Sequence, residues 1–209
     1  MSRRRLPRRF PFGLALAAAA TLVLAPQALG QSATLRMNGD RSNAAACGAY
    51  AATNDAPDDA IAACTRAIEA EHLDPPSLIT TRMNRGNLYL RRNDPQHAIA
   101  DFDAIIAMDR RNPEARLDRG VALMMQGQPG QAVAVITEAL TLGVHEPQKA
   151  YYDRAAAREA LGDIRGAYED YSTALQIAPD WGPANAEMQR LAQQRQQMLA
   201  TALSNEPGH

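Results

Sequence analysis

The chain has 209 residues, with 22 Lys or Arg against 23 Asp or Glu, so its formal net charge is −1. Residues 1–30 hold five of the arginines and no acidic residue, which leaves 17 basic against 23 acidic residues in the remainder. This acidic balance argues against nucleic acid or an anionic membrane as partner, because both need a basic face. An alanine-rich composition with 5% aromatic residues favours helices.

The first thirty residues have the pattern of a secretory signal peptide. An arginine-rich start, MSRRRLPRRF, precedes an apolar run over residues 13–25, and small residues follow at Ala28 and Gly30. The run is shorter than the roughly 20 apolar residues that span a membrane. We expect cleavage after Gly30, export to a bacterial-type periplasm or the medium, and no stable membrane span afterwards. The alternative is an uncleaved membrane tether, and the export route (Sec or twin-arginine) stays open.

A pattern with a spacing of 34 or 35 residues relates three successive units, and a diverged copy, Gly48, precedes Gly86 by 38 residues. A small residue recurs at Gly86, Gly120 and Ala155. Twelve, sixteen and nineteen residues later come an alanine, a bulky residue and an apolar residue. These columns read Ala98, Ala132 and Ala167, then Phe102, Ile136 and Tyr171, then Ile105, Ala139 and Ala174. Turn sequences break each unit at the same place, and Asp94 before Pro95 has the pattern of a helix N-cap.

These columns and the closing Pro179 resemble the tetratricopeptide repeat. The resemblance implies an all-α fold, an α-solenoid of about four TPR-like helix-turn-helix units plus a C-terminal capping helix. An ordinary helical bundle is the alternative. The predicted boundaries are 1–30 for the signal peptide, 31–40 for a flexible linker, 41–76 for a diverged unit with the cysteine pair, 79–112, 113–147 and 148–181 for three further units, 182–203 for the capping helix and 204–209 for a tail.

In this family the first helices of successive units line a concave groove for a peptide or partner helix. Transferred by register, that groove consists of Met83, Asn87, Leu90, Leu117, Val121, Met124, Met125, Tyr152 and Ala156. Because it is apolar and methionine-rich, we expect a protein or peptide partner with an apolar segment. Some of these residues could instead belong to the core. Glu114 and Asp118 would repel a carboxylate, so we discard the C-terminal carboxylate ligands that some family members grip.

Charged residues next to the small and bulky columns predict ion pairs between paired helices. Arg85 is expected to pair with Asp101, and Arg154 with Asp170. Arg119 faces Val135 in the same register and lacks a comparable partner.

The two cysteines, Cys47 and Cys64, fall in a diverged first unit, in the arginine and bulky columns. The resemblance then makes them face each other across a helix pair, and export into an oxidising compartment would allow a disulfide. Two inert buried thiols, or redox or metal chemistry, are the alternatives.

Support for catalysis is absent from the sequence. The histidines are scattered over different units and turns, at His72, His97, His145 and His209. We therefore predict a non-enzyme without cofactor or metal. The predicted function is that of an exported tetratricopeptide-repeat protein, a scaffold or assembly adaptor in the cell envelope, monomeric rather than oligomeric. A thiol-disulfide redox protein and a self-associating repeat protein are the alternatives.

Overall fold

In the computed structural model, the described residues, 42–53 and 57–204 with side chains to residue 201, form nine α-helices and no strand. The helices are α1 Asn43–Ala51, α2 Asp58–Ala70, α3 Pro75–Arg91, α4 Pro95–Met108, α5 Pro113–Met125, α6 Pro129–Leu142, α7 Pro147–Ala160, α8 Ile164–Ile177 and α9 Gly182–Ser204. The predicted signal peptide, the predicted linker and the last five residues of the chain lie outside this part. None of the helices described is both long and apolar enough to span a membrane.

The helices pack in chain order, as α1 on α2, α3 on α4, α5 on α6 and α7 on α8, with α9 closing the end against α8. The first helices of consecutive units also touch, α1 with α3, α3 with α5 and α5 with α7. The second helices make no comparable contacts within the part of the chain that is described. The first helices therefore form the tighter, inner row of an all-α solenoid, as the sequence predicts.

Helix starts follow a repeated cap. The side chains of Asp74, Asp94 and Asn112 each accept a backbone N–H three residues on, and a proline occupies the next position. The predicted cap at Asp94 is thus confirmed, with its carboxylate accepting from the backbone of His97 at 3.3 Å. A proline costs nothing at this position because the first-turn amide has no partner inside the helix.

The turns inside the second, third and fourth units each contain a residue in the left-handed backbone conformation. Asn93, Gly127 and Gly162, one per turn and 34 or 35 residues apart, have φ of 57°, 71° and 80°. Glycine adopts this conformation without strain and asparagine is the next best tolerated. This shared backbone turn explains why each helix reverses onto its neighbour at the same register.

The small and bulky columns face each other inside each helix pair. A β-carbon built on Gly86 would lie 2.6 Å from the ring of Phe102, and one on Gly120 would lie 2.4 Å from Ile136. In the fourth unit Ala155 and Tyr171 share one buried cluster with Leu191 of α9. The close approach of paired helices therefore depends on the small column.

Candidate partner-binding surface

Two buried carboxylates hold helix pairs together. Asp101, 2% exposed, accepts from Arg82 at 2.9 Å and from Arg85 at 2.7 Å. Both predicted ion pairs are confirmed, the second being that of Asp170 with Arg154 at 2.8 Å. Asp170 also forms an ion pair with Arg158, whose Nη1 lies 3.0 Å from Oδ2. Each carboxylate thus has two cations, which compensates for the loss of water around it.

The same arginine column also connects neighbouring units. Arg85 donates from Nη1 to Thr65 of the preceding unit at 3.0 Å, and Arg154 donates to Thr137 at 3.1 Å. The prediction that Arg119 lacks a partner is wrong, because its Nε donates to Asp103 at 2.6 Å. The register relates residues within one unit only, whereas the partner of Arg119 lies on the unit before it.

Cys47 and Cys64 form a disulfide with an S–S distance of 2.06 Å, joining α1 to α2. Both residues are fully buried, in a cluster with Ala60 and Leu88. The Sγ atom of Cys47 lies 3.8 Å from the backbone oxygen of Thr81 on α3. The bridge therefore lies inside the first helix pair, covered by the next unit.

We call the inner row of α3, α5 and α7 side chains the first-helix surface. Its predicted residues are shared between that surface and the core. Met83 and Leu90 pack against the cluster around Phe102, and Leu117 and Met124 pack against the cluster around Ile136. The predicted residues that remain half-buried without such packing are Asn87, Val121 and Ala156, and Met125 is 39% exposed. Their role in binding stays a prediction.

Tyr152 ends this surface in an aromatic group. Its ring centroid lies 5.4 Å from that of Tyr171 and 5.2 Å from that of Trp181. Tyr152 and Ala156 border an open depression between α7 and α9. Part of the predicted groove therefore coincides with a real concavity at the C-terminal end of the array.

The floor of the surface carries two carboxylates that interact across helices. Burial raises the pKa of Asp118 to about 6, and the charge of Glu114 acts in the same direction, while Asn87 and Lys149 oppose it. Burial also raises the pKa of Asp153 to about 7, with the charge of Asp118 adding to the effect and Lys149 again opposing it. The groups that shift the two pKa values lie on α3, α5 and α7, so the two carboxylates lie along the first-helix row.

Nearby cations are already engaged. Lys149 Nζ lies 2.6 Å from the Glu146 carboxylate. Arg190 lies 2.6 Å from each of Glu159 and Glu187, at the depression. Neither of the two floor carboxylates forms an ion pair within the described residues. The first-helix surface therefore combines apolar side chains with two half-buried carboxylates that have no ion-pair partner among the described residues.

In the sequence, Asp118 argues only against one ligand class, and Asp153 does not stand out on its own. A signal was present, since the two residues are 35 apart and both lie two positions before the small column. It was missed because a charge two residues from a small column could face either solvent or the inner row. Only the packing of α5 against α7 decides that question.

A second apolar surface lies at the C-terminal end. Ile164 and Tyr168 of α8 are 49% and 53% exposed, and Met198 and Leu199 of α9 are 66% and 55% exposed. All four border one open cleft between the two helices. From residue 192 to residue 201, α9 is exposed throughout, so the end of this helix projects beyond the array. Elsewhere, across residues 42–53 and 57–204, no three His, Cys, Asp or Glu residues converge as metal ligands.

Comparisons with known proteins agree with this architecture. Residues 83–147 match the family model described as tetratricopeptide repeat. A 121-residue stretch is 28% identical to serine/threonine-protein phosphatase 5 of Rattus norvegicus, covering 56% of this chain but only 24% of that protein.

Two similar solved structures contain peptides. The first TPR of Spaghetti (RPAP3) bound to the HSP90 peptide SRMEEVD is 26% identical, with a TM-score of 0.53 over 59% of this chain and 97% of that one. The second TPR domain of human RPAP3 in complex with the HSP70 peptide SGPTIEEVD is 25% identical, with a TM-score of 0.53 over 57% and 98%.

Proposed function

We propose that this chain, whose residues 83–147 match the tetratricopeptide repeat model, binds a protein or peptide on the first-helix surface, as a non-catalytic scaffold or assembly adaptor. The observation that carries this proposal is the continuous inner row of α3, α5 and α7, whose side chains are only partly used in packing. A rigid row of this kind presents fixed contacts to an extended or helical partner. Two similar domains were solved with peptides, which supports the same mode here.

Site-specific photocross-linking tests the surface. A benzophenone amino acid at Ala156, beside the depression, should give a discrete cross-linked species in the producing cells. The matched control is Ala134, an exposed alanine on the second helix α6. Equal cross-linking at both positions, or none at Ala156, would count against a binding role for this surface.

Export to the cell envelope is the second part of the proposal. It is supported by the signal-like residues 1–30 and by the buried disulfide, a bond that persists mainly in oxidising compartments. N-terminal sequencing of the protein from its native cells should find Gln31 as the first residue. A protein that retained its first thirty residues, or that carried two reduced thiols, would contradict this part.

The burial of both cysteines argues for a structural bridge rather than redox catalysis. An exchanging disulfide needs an approach path for an attacking thiolate. Cys47 and Cys64 are 0% exposed, and α3 lies against them. We therefore assign the bridge to the stability of the first unit.

Self-association is a second candidate function, favoured by the open cleft between α8 and the projecting end of α9. The occupant would be the same cleft and helix end of a second copy, related by a two-fold axis, which is how most soluble dimers form. Light scattering over a concentration series tests it, with Tyr168→Glu as the variant that should abolish any dimer. A constant monomer mass would remove this candidate and agree with the monomer that the sequence analysis favours.

A further inference from the structure

Two carboxylates on the floor of the first-helix surface have no cationic side chain paired with them. Asp118 and Asp153 are both half-buried and occupy the same column, 35 residues apart, on α5 and α7, which pack against each other. Asn87 of α3 hydrogen-bonds to Asp118, but neither carboxylate forms an ion pair within the described residues. Lys149, in the first turn of α7, lies 2.6 Å from Glu146, the N-cap residue of that helix. Elsewhere in this array the buried carboxylates each have two arginines, as Asp101 does. The pair on the floor is thus the exception in the way this chain compensates charge.

We propose that the first-helix surface selects a partner segment with a lysine or arginine side chain, which binds between the carboxylates of Asp118 and Asp153. This inference rests on the proposed function, since it names the chemistry of the partner bound there. A guanidinium or ammonium group would supply the missing counter-charge through charge-assisted hydrogen bonds.

The surroundings of the two carboxylates fit a basic side chain as a whole. Lysine and arginine carry an apolar stem of three or four methylene groups below the charged head. Half-buried Val121 lies three residues after Asp118 on α5, and Tyr152 directly precedes Asp153 on α7, so apolar surface for such a stem is close in the chain to both carboxylates. An apolar partner segment with one basic residue would therefore contact both the apolar side chains and the carboxylates of the surface.

An acidic partner is disfavoured by the same charges. The peptides in the two similar structures, SRMEEVD and SGPTIEEVD, each carry two glutamates and an aspartate. Bringing such a peptide against Asp118 and Asp153 would add like charges in a partly desolvated site, which costs free energy. We expect this chain to discriminate against these peptides even though its fold is the same.

Selection from a random dodecapeptide phage library tests the inference on the purified, oxidised protein. The wild type and the isosteric double variant Asp118→Asn/Asp153→Asn are used in parallel, with Glu169→Gln on the exposed face of α8 as the control. Peptides selected by the wild type and by the control should be enriched in Lys and Arg over Asp and Glu. The double variant should lose this enrichment and bind the selected peptides at least tenfold more weakly.

The pH dependence of the affinity for one selected peptide provides an independent test. Protonation of the two carboxylates removes the negative charges that attract a cation, so affinity should fall at least tenfold from pH 8 to pH 5.5. The groups that set this titration are Asp118 and Asp153 themselves, with Asn87, Glu114 and Lys149 facing them from α3, α5 and α7.

The possible outcomes separate this inference from the proposed function. Peptides selected without basic enrichment, or equal enrichment on the double variant, would overturn the inference and leave peptide binding intact. Failure of the wild type to select any peptide would overturn both. A thermal melt of each variant checks that the array is folded before selection.

Discussion

Gly86 lies so close to the ring of Phe102 that a methyl group there would overlap the aromatic edge, at 2.6 Å. Alanine at this position should therefore destabilise the protein, although alanine is the better helix former by about 1 kcal/mol. Overpacking of a core costs about 1–3 kcal/mol, which the better helix propensity of alanine partly offsets. We therefore expect Gly86→Ala to lose about 1 kcal/mol of unfolding free energy in urea titrations.

Gly48→Ala is the matched control for this substitution. A β-carbon on Gly48 would meet only the Asn84 side-chain nitrogen, at an ordinary 3.8 Å. The same exchange in α1 should thus be neutral or stabilising by up to about 1 kcal/mol. Equal effects at the two positions would mean that the small column does not set the spacing between paired helices.

Replacing Asp101 should be among the most damaging single changes in the array. Asp101→Asn removes the charge that holds Arg82 and Arg85 while leaving both guanidinium groups in place. Breaking a buried pair from one side costs about 3–5 kcal/mol. We expect a loss of about 3 kcal/mol in unfolding free energy by chemical denaturation.

The control for that change is an exposed ion pair. Arg165 and Glu169 lie 3.2 Å apart on α8, with side chains 93% and 60% exposed. Glu169→Gln should change stability by less than about 0.5 kcal/mol, since water screens such pairs. If both variants lost equal stability, burial would not be what gives the Asp101 cluster its effect.

The disulfide should matter most for the first unit. It closes a loop with a sequence separation of 17 in a helix pair rich in alanine. Loops of this size gain about 3 kcal/mol from cross-linking. We expect the double variant Cys47→Ala/Cys64→Ala to lose amide-exchange protection in α1 and α2, while α5 to α8 keep theirs. Uniform loss over all helices would instead indicate a bridge that stabilises the array as one block.

Asp153 should make stability fall as pH rises. Its pKa is about 7 in the folded chain, against an ordinary value of 3.8, so the folded state holds a proton that the unfolded state releases. Stability is then lost as pH increases through this window. Asp153→Asn does not titrate there and should exceed the wild type by about 1 kcal/mol at pH 8, allowing for partial exposure, but not at pH 4.

Thermal melts between pH 4 and pH 8 measure this difference, with Asp180→Asn, an exposed carboxylate in the turn after α8, as the reference. A stability difference that does not change with pH would show that Asp153 titrates normally. If Asp153→Asn is more stable than the wild type at pH 8, the wild-type carboxylate lowers stability there, as expected of a residue retained for binding.

Much of this architecture could be predicted from the sequence because its determinants are local and periodic. The facing of Gly86 and Phe102, and the pairing of Arg85 with Asp101, follow from spacings that two adjacent helices fix. The partner of Arg119 could not be found this way, because Asp103 lies on a different unit and the packing angle between units decides which column it meets. The floor pair was missed for the same reason, since Asp118 and Asp153 meet only through the contact of α5 with α7.

The links between units have a consequence for how this array can change. Arg119 finds its carboxylate on the preceding unit, in a column where the first and third units have Thr65 and Thr137. A tandem duplication of residues 113–146 would set the second copy of Arg119 opposite Thr137, with a hydroxyl in place of Asp103. The repeats are therefore alike in backbone but not interchangeable in order, and lengthening the array by copying this unit would require a compensating Thr137→Asp change.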